Sequence, residues 1–151
     1  MRAAGILLPI QSIPRGGAPG SLREASIHAI NAFASFGIGV WQILPLNPPD
    51  FVGSPYASPS AFAMDPELLH DLAGDVRDPS RYDLDAWLEN SGWADSWALF
   101  RILKSIDPRS WVKWGNWSDP SGRDLDRLRS DNEEHYWREI IIQWNIIFFI
   151  A

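Results

Sequence analysis

The chain has 151 residues, 46% of them hydrophobic, and a formal net charge of −6 without a single cysteine. That length and apolar content suffice for a globular core, but the thirteen basic residues are scattered and give no positive stripe for a phosphate backbone, so nucleic acid is not expected as a partner. Without cysteine there is neither a disulfide framework nor a thiolate metal site, and His28, His70 and His135 have no spacing that points to a shared metal.

Arg2 is followed directly by strand-like sequence rather than by a leader pattern, so a cytoplasmic protein is expected. Ala4 to Ile10 is a short apolar run without alternation, which predicts a strand covered on both faces. Pro14 to Gly20 carries three glycines and two prolines and reads as a loop. It lacks the lysine and hydroxyl of a phosphate loop. Ser21 and Glu24 have the spacing of a capping box, and a helix is predicted from there to Phe36. Its apolar face would hold Leu22, Ala25, Ala29, Ile30, Phe33 and Phe36, and Gly37 can take the left-handed conformation that ends it. Val40 to Leu44 then reads as a second strand, parallel to the first across a crossover helix. Pro45, Pro48 and Pro49 stop it, because proline has no amide to give a ladder.

Beyond Asp65 the strand pattern disappears. A short helix is predicted over Asp83 to Glu89. Another, capped by Asp95, would run to Ser105 with Trp97, Phe100 and Leu103 inward. Trp111 to Gly122 looks like a loop. A last helix would carry Trp137, Ile140, Ile141, Trp144, Ile147 and Phe148 on one face. Gln143 and Asn145 interrupt this terminal apolar run, and it falls short of the roughly 20 apolar residues that span a bilayer. A buried helix is expected there, with no membrane involved.

The segment Ser54-Pro55-Tyr56 through Ala63 leaves the end of the second strand, where loops are free to carry ligand residues. Tyr56 offers a flat apolar ring for the C–H face of a pyranose and a hydroxyl for its rim, and Ser54 can bond a sugar hydroxyl. A tyrosine filling a loop and serines shaping a turn are the alternatives. Most of the nine tryptophans fall on strand or helix faces that would be buried; Trp111, Trp114 and Trp117 share a loop that could form an exposed platform, although packing is preferred there too. The carboxylates from Asp124 to Glu134 interleave with arginines, as on a solvated face.

Four motifs in order carry a resemblance: Gly5-Ile6-Leu7-Leu8-Pro9-Ile10 with Ser12-Ile13-Pro14, Gly20-Ser21-Leu22, Trp41-Gln42-Ile43-Leu44-Pro45-Leu46, and Ser54-Pro55-Tyr56 through Ala63. They closely resemble the opening of the 4-α-glucanotransferases, the amylomaltase or disproportionating enzymes. Ala98-Leu99-Phe100, Lys104, the Trp111 and Trp114 pair and Gln143-Trp144 extend the similarity more weakly.

The resemblance implies an α/β fold: two parallel strands and a crossover helix opening a TIM (β/α)8 barrel over 1–64, with a sugar-site loop at 45–63 and a mostly helical insertion over 65–151. A closed barrel takes about 250 residues, so the barrel is incomplete and the chain is expected to be an amino-terminal part or a truncated product. The implied reaction moves α-1,4-glucan segments from a maltooligosaccharide to an acceptor sugar by a retaining double displacement, without cofactor or metal. Its catalytic carboxylates would lie on later strands, and no residue of this chain matches them. By position Tyr56 matches the family tyrosine of the sugar site and Ser54 a sugar-bonding serine. Phe51 sits where relatives carry an aromatic near an outer glucan contact, while Asp65 and Asp71, which follow the loop, are candidates for a distal hydroxyl. Gly53 replaces the aspartate usual before the serine, removing an acceptor from the loop. A non-catalytic glucan-binding module and a product without stable function are the alternatives.

Overall fold

The computed structural model describes residues 3–14, 22–50, 52–67 and 77–150. The chain divides into two compact units, Met1–Val76 and Arg77–Ala151.

The first unit is built on strand β1 (Ala4–Leu7), helix α1 (Leu22–Ser35) and strand β2 (Ile38–Gln42). The two strands pair in parallel, Gly5 opposite Val40, Ile6 opposite Trp41 and Leu7 opposite Gln42, and the pairing extends through the Leu8 amide, which donates to the Gln42 carbonyl at 3.0 Å. Gly37, at φ +74°, ends α1 in the left-handed region as predicted. Side chains alternate across a strand, so Ile6 and Trp41 share one face while Leu7 and Val40 share the other. Helix α1 covers the first face: the Trp41 ring meets Phe33 edge-on at 5.7 Å, and its indole N–H donates to the Leu8 carbonyl at 2.9 Å.

The opposite face is open, with Leu7 57% and Val40 51% exposed. The expectation of strands covered on both faces is therefore not met within this chain, because a single helix can cover only one side of a two-stranded sheet. The predicted apolar face of α1 is also only partly used. Leu22 is buried and Phe33 half-buried, whereas Ile30 and Phe36 are exposed. Ser21 and the loop from Arg15 to Gly20 lie outside the described residues, and so does His70.

The second unit is helical: α2 (Arg81–Leu88), α3 (Gly92–Ile106), α4 (Gly122–Asp131) and α5 (Glu133–Ile150). Capping boxes Ser80/Asp83 and Ser121/Asp124 start α2 and α4, each serine oxygen accepting an N3 amide while the aspartate accepts the N-cap amide. The core joins Leu84 of α2, Ala98, Leu99 and Ile102 of α3, Leu128 of α4, and Ile140 and Trp144 of α5. The segment read as a loop from Trp111 forms two 3-10 turns, Trp111–Lys113 and Gly115–Ser118, and Trp114 is buried against Phe100. No helix among the described residues is long and apolar enough to cross a membrane.

Asp95 does not cap α3, which begins three residues earlier, at Gly92. Its carboxylate instead accepts from the Arg129 guanidinium at 2.7 Å and from the Tyr136 hydroxyl at 2.8 Å, tying α3 to α4 and α5. Burial, and then donation to Asp95, push the Tyr136 hydroxyl up to about 12. The unfolded chain loses this proton near 10 while the folded one keeps it. The contribution is thus complete below pH 10 and is lost as pH rises towards 12. Tyr136→Phe is expected to cost about 1.5–3 kcal/mol at neutral pH and to flatten the alkaline fall in stability, measured by urea unfolding across pH 8–11.

Asn145 explains one of the polar residues in the terminal apolar run. Buried in α5, it accepts the Arg77 amide at 2.9 Å and donates to the Arg77 carbonyl at 3.1 Å, so it clamps the backbone where the helical unit begins.

Candidate functional site

A cavity of about 260 Å³ opens beyond the C-terminal ends of β1 and β2. Its wall includes Gln11 and Ser12 from the segment after β1, and Asn47, Gly53, Pro55 and Asp65 from the segment after β2. In parallel α/β structures this end of the sheet is where ligands bind, because the loops there vary without disturbing the packed strands.

The loop that shapes the wall is organised from within. Asp50 Oδ1 accepts the amides of Val52 at 3.0 Å and Ser54 at 2.8 Å, and the Asp50 amide donates to the Ser54 carbonyl at 3.1 Å. Gly53 stands at φ +81°, a backbone state in which a β-carbon is strained. Here, then, the residue before Ser54 is suited to be glycine, and the carboxylate that holds the loop comes from Asp50. Sequence reasoning overlooked Asp50, although an aspartate followed at short range by Gly-Ser is the composition of such a side-chain-bonded turn.

Further along, Ser60 Oγ accepts the amides of Phe62 and Ala63, and Ser58 Oγ donates to the Ser60 carbonyl at 2.7 Å. These two serines are turn formers. Asn47 donates to the Ala63 carbonyl at 2.9 Å and the Asp65 amide to the Leu46 carbonyl at 2.8 Å, closing the loop at its base.

Tyr56 sits in a 3-10 turn, Pro55–Ala57, with proline at its first position, and its ring is 75% exposed. Its hydroxyl has no hydrogen-bond partner among the described residues, and neither has that of the half-buried Ser54. The cavity wall is made by Gly53 and Pro55 on either side of Ser54, and neither Ser54 nor Tyr56 contributes to it. Asp65 does line the cavity. It is 7% exposed, and its carboxylate accepts the Glu67 amide at 3.1 Å, the bond of a helix start. Phe51 and Asp71 lie outside the described residues. Among the described residues no group of three or more histidine and acidic side chains is placed to hold a metal.

Residues 8–73 match the family model described as 4-alpha-glucanotransferase. A 4-alpha-glucanotransferase of Aquifex aeolicus is 29% identical over 152 aligned residues, covering 76% of this chain and 31% of the relative. That of Synechocystis is 41% identical over 68 residues, covering 45% of this chain and 14% of the relative. The chloroplastic/amyloplastic 4-alpha-glucanotransferase DPE1 of Arabidopsis thaliana is 45% identical over 60 residues, covering 40% of this chain and 10% of the relative. The fold matches that of an amylomaltase from Streptococcus agalactiae, solved with acarbose, at a TM-score of 0.77 and 19% identity, over 99% of this chain and 39% of that one. The chain thus spans about a third of the length of the Aquifex relative.

Proposed function

We infer, starting from a chain related by sequence to the 4-α-glucanotransferases and sharing its fold with part of an amylomaltase, that it supplies the opening of a (β/α)8 barrel and one wall of an α-glucan site. In this reading residues 1–64 begin the barrel and the helical part from 65 onward is an insertion. The whole enzyme moves α-1,4-glucan segments from a maltooligosaccharide to an acceptor sugar, in maltodextrin, glycogen or starch metabolism, and works in the cytoplasm without a cofactor.

The observation that carries the reading is the solvent-facing ring of Tyr56, presented on a loop pinned by Asp50 beside a cavity at the strand ends. A pyranose has one face rich in C–H groups and a rim of hydroxyls. The ring supplies an apolar surface for the face, and its hydroxyl and that of Ser54 are available to the rim. Phe51, Asp65 and Asp71 are further candidates for sugar contact.

Retaining transfer needs a carboxylate nucleophile and an acid/base carboxyl about 5 Å apart. Asp65 is the one carboxylate lining the cavity among the described residues, and it is engaged with the Glu67 amide. This chain therefore binds, and the bond-breaking carboxylates belong to other strands of the barrel. A glucan-binding module without chemistry is the second reading, favoured by the same pairing of an exposed ring with a single engaged carboxylate.

The purified chain is expected to bind maltoheptaose without disproportionating maltotriose. Tyr56→Ala should weaken binding about tenfold, the scale of one lost aromatic stacking contact, while Tyr56→Phe keeps most of it. Calorimetry measures the first and product chromatography the second. Unchanged affinity in Tyr56→Ala would remove the site assignment, and glucan transfer by the chain alone would refute its purely binding role.

A further inference from the structure

Eight of the nine tryptophans are buried or half-buried, whereas Trp111, in the helical unit, is 55% exposed. Indole is the largest apolar side chain, so one held in water by a well-ordered segment invites a ligand. The segment is held firmly. Lys104 Nζ donates to the carbonyls of Pro108 and of Arg109 (2.7 Å to the latter), the buried Trp114 donates its indole N–H to the Asp107 carbonyl at 3.0 Å, and Ser118 Oγ donates to the Trp111 carbonyl at 2.9 Å. Arg109 and Asp107 form a two-pronged pair, with Arg109 Nη2 2.6 Å from Asp107 Oδ2, in the same turn.

We propose that Trp111, with Arg109 and Asp107 beside it in sequence, is a contact site for an α-linked glucan chain, formed by the helical unit itself. The indole presents a flat apolar surface to the C–H face of a glucosyl ring. Asp107, whose two oxygens accept from the Arg109 amide, Nε and Nη2, fixes the guanidinium, and the remaining guanidinium N–H groups are donors of the kind sugar hydroxyls accept. The composition of the patch favours a sugar over a protein. Trp111 and Val112 are bracketed by exposed Arg109, Ser110 and Lys113, while the core of a protein interface is depleted of charge. Pre-ordering of the turn limits the entropy lost on binding. The choice of α-glucan as the sugar rests on the function proposed above; the site itself rests on Trp111.

Because Trp111 is the one exposed indole and several others are half-buried, the difference in iodide quenching of tryptophan fluorescence between the full chain and Trp111→Ala reports on it. Maltoheptaose is expected to shield the quenchable fluorescence in the native chain and in Tyr56→Ala, and Trp111→Ala should lose that quenchable component together with about tenfold in affinity. Trp111→Tyr, which keeps a ring, should restore most of the affinity. If sugar binds and Tyr56→Ala abolishes binding while Trp111 stays open to iodide throughout, this proposal fails and the Tyr56 assignment stands. If Trp111→Ala leaves the affinity unchanged, the proposal fails whatever Tyr56 does. If no variant, nor the native chain, binds maltoheptaose, both fail. Shielding that grows with protein concentration in the absence of sugar would make Trp111 a contact between copies and overturn the proposal.

Discussion

Replacing Ile140 by alanine is expected to cost about 2–5 kcal/mol and to leave the helical unit largely unfolded under mild denaturant. The side chain is fully buried in α5, within the core that joins α5 to α3 and, through Leu84 and Leu128, to α2 and α4. Alanine loses the transfer free energy of three carbons and leaves a void that α3, α4 and α5, tied together at Asp95, cannot easily close. Small domains are stable by about 5–15 kcal/mol in total, so one such loss takes much of what holds this unit. Urea unfolding followed by circular dichroism measures it, with Phe148→Ala as a comparison, since Phe148 is half exposed on the same helix. A loss below about 1 kcal/mol at Ile140 would mean that this core is not the one described.

The second large effect concerns association. Parallel sheets occur almost only with both faces covered, and two strands alone are below the number that is independently stable. The face bearing Leu7 and Val40 is bare. In a closed barrel with helices outside, the face opposite the helix points into the packed interior, so these side chains have core identities without a core. The chain is expected to sediment at tens of micromolar as species heavier than its 17.0 kDa monomer. Leu7→Lys combined with Val40→Lys should shift it towards the monomer, since charges on an open sheet face oppose pairing. A monodisperse native chain, or association that the lysines leave untouched, would contradict this.

The parts of the fold set by local chemistry were legible in the sequence. The apolar runs and intervening helix predicted the parallel pair, Gly37 predicted the end of α1, and the 3.6-residue spacing predicted α5. What was not legible depends on neighbours remote in sequence. Leu7 and Val40 read as doubly buried because their composition answers to a complete sheet, whereas this chain supplies one helix to cover it. Asp95 read as a cap because an acidic residue just before an apolar face usually is one, but Arg129 and Tyr136 arrive from 34 and 41 residues away to claim it. Gln143 and Asn145 looked like interruptions, and only the tertiary fold shows Asn145 gripping Arg77.

The site divides in the same way. A polar, aromatic-bearing loop at the end of the second strand was legible from its Pro, Ser and aromatic composition, and the parallel pairing beneath it agrees; the exposure of the Tyr56 ring was not, since a tyrosine filling the loop fits the same residues. The role of Asp50 and the left-handed backbone of Gly53 are matters of turn geometry. They reconcile the missing aspartate with an ordered loop.

Tyr56 and its loop are proposed as a surface for an α-glucan. Nuclear magnetic resonance of the isotope-labelled chain titrated with maltoheptaose tests it most directly. Saturable shifts are expected on the Tyr56 ring and on the amides of Gly53, Ser54 and Ala57, alongside those of the Trp111 indole. A titration that leaves those resonances in place, or that moves only residues elsewhere in the chain, would contradict it.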